Sequence, residues 1–137
     1  MTTLLLDASV LLAAFDPEDD HYKPARSLLE DDEVTLATLD LARYEVANVA
    51  VRAWRAPESV APLLAVIERI ADDGGVFIST DTLLTRAAEI AERHMISVYD
   101  AAYAAAADEG GHCLVSCDER DLVSKDLAAL PANTQRK

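Results

Sequence analysis

Apolar runs and helical periodicities alternate along the chain. "TTLLL" (2–6) is a short apolar run that ends at Asp7, and it predicts a strand. "ASVLLAAF" (8–15) predicts a short helix, stopped by Asp16-Pro17 because the residue before a proline avoids helical geometry. A second helix is expected over 22–30, with Leu28 and Leu29 on its apolar side. "VTLATL" (34–39) is apolar and β-branched, which favours a strand. Asp40 is placed to cap the helix 41–55, on which Tyr44, Ala47, Val51 and Trp54 recur at helical spacing. Pro57 begins another helix, ended by Asp72-Asp73-Gly74-Gly75.

"VFIS" (76–79) predicts a strand, and the helix 80–93 turns Leu83, Leu84, Ala87, Ile90 and Ala91 inward. The helix 98–109 stops at Gly110-Gly111. "HCLVS" (112–116) is the last clear strand, and "DERDLVSKDLAAL" starts as a helix. Nearly all-apolar strands separated by helices indicate an α/β fold with a parallel sheet. Such sheets collect ligands beyond the carboxyl ends of their strands, where Asp7 and Asp118 fall. Residues 1–131 read as a single domain and 132–137 as a frayed tail.

Composition narrows the class. The chain has 137 residues, enough for one core, with 51% hydrophobic and 27% charged residues. No apolar run reaches the roughly 20 residues of a membrane span, and "MTTLLLDAS" lacks the basic region of a secretion signal. The expectation is a cytoplasmic protein with no membrane contact. Cys113 and Cys117 would lie on the order of 13 Å apart along a strand, too far for a disulfide. With no further zinc ligands nearby, they read as buried free thiols. The net charge of −13, from 25 acidic and 12 basic residues, opposes any polyanion surface unless cations bridge the repulsion.

Four acids stand in apolar settings. Asp7 lies between Leu6 and Ala8, Glu45 within "RYEVANV", Asp100 within "VYDAAYAAAA", and Asp118 after an apolar strand. Buried carboxylates must be paired, hydrogen-bonded or metal-bound. Each has an ordinary explanation. Ser97-x-x-Asp100 is a capping-box pattern, Asp7 and Asp118 suit helix caps, and Glu45 can pair with an arginine of its own helix. Asp121 suits an exposed first-turn acid. Jointly, acids with few nearby cations repel one another unless an ion holds them, and hard Mg²⁺ or Mn²⁺ suits an all-oxygen site.

The blocks "LLLDASVLLAAFDPEDDHYKPA", "ARYEVANV", "SVYDAAYAAAA" and "LVSCDERDL" resemble, in order, the four motif blocks of PIN-domain ribonucleases, in particular VapC-type toxins of toxin–antitoxin systems. The resemblance implies a three-layer α/β/α sandwich with a mostly parallel central sheet. It implies that Asp7, Glu45, Asp100 and Asp118 bind Mg²⁺ or Mn²⁺ and are catalytic. Ser9 and Ser116 would orient the first and last acids, with Asp121 and Asn48 at the periphery. The implied activity is RNA cleavage leaving 5′-phosphate and 3′-hydroxyl ends. A homodimer and a cognate antitoxin covering the acidic pocket are the implied partners, with the helices 41–55 and 57–71 as contact surfaces.

Arg43, Arg52 and Arg55 are the candidates to guide an RNA backbone, or else plain solubilising charges. Family members commonly add a last strand after the fourth acid, for which only "LAALPA" is available here. Two other readings remain. A catalytically silent PIN-like module would be expected to lose an acid. A receiver-type phospho-acceptor domain would need an acidic pair after its first strand and a later lysine.

Overall fold

The computed structural model of the chain describes residues 2–134. Four strands form one parallel sheet: β1 (Thr2–Leu6), β2 (Val34–Leu39), β3 (Val76–Phe77) and β4 (Cys113–Val115), in the order β3-β2-β1-β4. Leu4, Leu5 and Leu6 of β1 are fully buried, each contributing about 1.5–3 kcal/mol of hydrophobic stabilisation. Thr38, the polar residue of β2, is also buried, and it donates its hydroxyl to the Leu6 carbonyl at 2.7 Å.

Between the strands lie α1 (Ala8–Ala13), α2 (Tyr22–Glu30), α3 (Leu41–Arg52), α4 (Val60–Asp72), α5 (Asp81–His94) and α6 (Val98–Gly110). The chain steps from β1 to β2 to β3 in one direction, then returns across the sheet to β4. Right-handed crossovers therefore put α1–α4 on one face and α5–α6 on the other. The packing agrees: α1 meets α2 and α3, α3 meets α4, and α5 meets α6. The direction reverses at β1, so the crevice between β1 and β4 is the switch point where such sheets bind ligands.

Every residue from Ala101 to Ala107 is buried, and all but Tyr103 are alanines, so α6 can approach β1 and β2 closely. Gly111, at φ +67°, ends this helix in the left-handed conformation. The last strand question resolves into a single parallel bridge. Ser116 donates its amide to the Ala129 carbonyl at 3.0 Å, and Ala129 donates to Leu114 at 2.9 Å. Of the expected tail, Pro131–Asn133 form a 3₁₀ turn, and residues 135–137 lie outside the described residues.

Several expectations need correction. On α3 the buried stripe is Ala42, Val46 and Ala50, whereas Tyr44 and Val51 face outward. Leu84 of α5 is also exposed. Asp40 does not cap α3: its carboxylate accepts the Ser79 amide at 3.1 Å and hydroxyl at 2.5 Å, and β3 ends at Phe77. The helix after Pro57 begins as a 3₁₀ turn and becomes α-helical only at Val60. Both thiols are free but not fully buried; Cys113 is exposed and Cys117 half-buried.

Candidate functional site

Two of the acids are built into the turns that leave adjacent strands. Asp7 is buried at the N-cap of α1, where Oδ1 accepts the amides of Ser9 (3.0 Å) and Val10 (3.3 Å) and the Ser9 hydroxyl (2.5 Å). Its own amide donates to the Val115 carbonyl, tying the end of β1 to β4. Asp118 caps the wide helical turn Glu119–Val123, with Oδ1 accepting the Asp121 amide at 2.9 Å. The amide of Asp118 donates to the buried Ser116 hydroxyl at 3.0 Å. Ser9 and Ser116 therefore sit where the sequence placed them, beside the first and last acids.

Asp100 and Glu45 reach the same place from helices. Ser97 caps α6 by accepting the Asp100 amide at 3.0 Å, so the capping role belongs to serine. Asp100, Asp118 and Asp121 each bring a carboxylate oxygen within 4.8 Å of the others. Asp121 thus belongs to the cluster itself, with Arg120 bonded to its outer side at 3.2 and 3.3 Å. Glu45, half-buried on α3, accepts a hydrogen bond from the Tyr103 hydroxyl at 2.7 Å.

The electrostatics of these groups are coupled. Burial pushes Asp7 up to about 6, against the pull of its Ser116, Ser9 and Val10 hydrogen bonds, and Glu45 adds repulsion. Burial likewise pushes Asp100 up to about 6, with further repulsion from Asp118, Asp7 and Asp121. Glu45 is raised by burial, lowered by its Tyr103 bond, and raised again by Asp100. The carboxylates of Asp100, Asp118 and Asp121 lie together, and Asp7 and Glu45 are electrostatically coupled to Asp100. Hard oxygen donors crowded at this density suit a divalent cation, whose charge would offset their repulsion.

Tyr103 is the residue that sequence reasoning missed. It is 2% exposed, so its hydroxyl is buried against Glu45. Burial, followed by the charge of Glu45, holds that phenol well above its ordinary value. Its position three residues after Asp100 was the available signal, hidden because an aromatic in an alanine run looks like core.

The remaining candidates lie farther out. Asn48 is exposed. Arg43 pairs with Glu68 at 3.5 Å, while exposed Arg52 and Arg55 follow Glu45 by roughly two to three helical turns. None of the three contacts the acid cluster through a hydrogen bond or ion pair among the described residues. His21 lies 3.8 Å from Glu119, and His112 packs against Phe77 with the rings tilted by 50°. Burial raises Cys117 to about 12, which keeps it a thiol.

Comparison with known proteins agrees with this arrangement. The family model for the PIN domain matches residues 4–126. Ribonuclease VapC3 of Pyrobaculum aerophilum is 34% identical over 126 residues, covering 89% of this chain and 93% of that protein. Among solved structures, Mycobacterium tuberculosis VapC20, described as a sarcin–ricin loop cleaving toxin, superposes with a TM-score of 0.67 at 20% identity, over 85% of this chain and 91% of its own. A toxin–antitoxin complex from Klebsiella pneumoniae gives 0.66 at 16% identity, over 93% and 97%. At these identities the structural likeness speaks for the fold.

Proposed function

The chain belongs to the PIN-domain family, and from that premise we propose that it is a divalent-metal-dependent endoribonuclease acting as the toxin of a toxin–antitoxin pair. The observation that carries this reading is the cluster of Asp100, Asp118 and Asp121 carboxylates within 4.8 Å of one another, with Asp7 and Glu45 electrostatically coupled to Asp100. Arranged this way, the acids would hold Mg²⁺ or Mn²⁺. A bound ion of this kind lowers the pKa of water and polarises the phosphodiester, which is the chemistry that hydrolysis needs.

The chain's own residues supply the rest. Ser9 and Ser116 fix the first and last acids, so the donor set is preorganised. Arg120, bonded to Asp121, places a guanidinium beside the acids, where it can meet an RNA phosphate. Arg43, Arg52 and Arg55 are left to a remoter part of the RNA, or to solubility.

Partners follow from the same reading: an RNA substrate, a cognate antitoxin and a second copy of the chain. The acidic surface suits a basic antitoxin segment. The expected contact surface on the two middle helices is revised. Helix α4 commits Leu63, Val66, Ile67 and Ile70 to the core, while exposed apolar side chains gather at Tyr44 and Val51 and at Met95, Val98 and Tyr99 beside Asp100. No helix among the described residues is long and apolar enough to cross a membrane.

The test is RNA cleavage with Mg²⁺ or Mn²⁺, with and without chelator, by the wild-type chain and by Asp100→Asn. Cleavage by the wild type that chelator abolishes and Asp100→Asn lacks supports the assignment. Equal cutting by both chains, or cutting that ignores chelator, refutes it.

A further inference from the structure

Glu45 is held differently from the other acids. Asp7 and Asp118 cap the turns in which they sit, and Asp100 lies in the first turn of α6. Glu45 lies inside α3 on a longer, freer side chain, and it is restrained from another element. The Tyr103 hydroxyl on α6 donates to Oε1 at 2.7 Å. The tyrosine is 2% exposed, so one buried hydroxyl on α6 holds a carboxylate of α3. A phenylalanine ring would fill this space without the cost of burying a hydroxyl, so packing alone does not account for the oxygen.

We propose that Tyr103 is a positioning residue of the metal centre: its hydroxyl fixes Oε1 of Glu45 and leaves the other oxygen as the ligand. This rests on the reading of the site as a metal-dependent nuclease. The role is that of an outer-shell partner, which orients a ligating carboxylate without touching the ion.

The experiment uses the full chain and Mn²⁺, with binding followed by calorimetry and by the electron-spin signal of free Mn²⁺. Tyr103→Phe removes one oxygen and keeps the ring. Mn²⁺ affinity is expected to fall about 10-fold or more, with cleavage restored at high Mn²⁺. Because the phenol acts through Glu45, adding Tyr103→Phe to Glu45→Gln is expected to change affinity little further. Wild-type affinity in Tyr103→Phe, or an equal loss in both backgrounds, overturns the proposal. If Tyr103→Phe does not fold, wild-type chain with labelled tyrosines replaces it. Ring signals of Tyr103 that shift as Mg²⁺ saturates, with Tyr22 unmoved, support the proposal; a Tyr103 ring that stays unmoved overturns it. The nuclease reading fails separately, through a wild-type chain that shows no chelator-sensitive cleavage.

Discussion

Ser9 and Cys117, 108 positions apart, meet in one hydrogen bond, the Cys117 amide donating to the Ser9 hydroxyl at 2.9 Å. The same hydroxyl donates to Asp7, so the turn after β1 and the turn after β4 share a single oxygen. Ser9→Ala deprives a buried carboxylate and a backbone amide of partners together. Stability is expected to fall by about 1–3 kcal/mol, read by denaturant unfolding. Mn²⁺ affinity is expected to fall by about 10-fold. Unchanged values for both would mean that the two turns are aligned without this contact.

Asp100→Asn is expected to separate stability from activity. Asp118, Asp7 and Asp121 all repel the Asp100 charge, on top of its burial. Removing that charge is expected to stabilise the metal-free chain by about 1 kcal/mol, after discounting for solvent screening. A melting temperature in EDTA that drops instead would show that the Asp100 carboxylate holds the fold together.

Acid–base linkage gives a third prediction. Asp7 and Asp100 titrate near 6 when folded, against 3.8 for an unperturbed aspartate. Their folded values are raised, so the unfolded chain releases protons that the folded chain still holds. The stability they contribute is full below about pH 4 and is lost as pH rises through about 6. The metal-free melting temperature is therefore expected to fall across this window, and to fall less in Asp100→Asn. Ion binding runs the other way, since it requires deprotonated ligands. The rise in melting temperature caused by Mg²⁺ is expected to be larger at neutral pH than at pH 5. Equal Mg²⁺ shifts at both would contradict carboxylate ligation.

The corner between α5 and α6 offers a mutation that separates stability from RNA cleavage. Met95 adopts φ +58° while 85% exposed, a conformation that costs an L-residue about 1–2 kcal/mol. Met95→Gly removes that cost but gives the unfolded chain more freedom, for a net gain of up to about 1 kcal/mol in thermal unfolding. RNA cleavage is expected to stay at the wild-type rate.

Much of this molecule was readable before any coordinates. Asp7 follows its apolar run directly and Asp118 follows β4 by three residues, and a parallel sheet places such positions at its binding edge. Two of the failures arise because pattern reasoning weighs large side chains. On α3 it followed Tyr44 and Val51, whereas the face that packs is lined by Ala42, Val46 and Ala50, of which two carry only a methyl group. Tyr103 went unnoticed for the reverse reason, since a large ring suggests core while its hydroxyl is what contacts Glu45. Asp40 had the spacing of a cap, but a carboxylate bonds to whatever tertiary structure brings near, and that was Ser79. Asp121 reads in sequence as an exposed first-turn acid, because a helix pattern does not show how near a wide turn brings it to Asp100.

The strand order has a last consequence. With β1 between β2 and β4, the carboxylates at 7, 45, 100 and 118 arrive from opposite ends of the chain and become a site only when the final strand docks. A nicked or half-folded copy therefore carries all the acids and none of the chemistry. For a chain proposed to cut RNA, folding itself would be the safety catch.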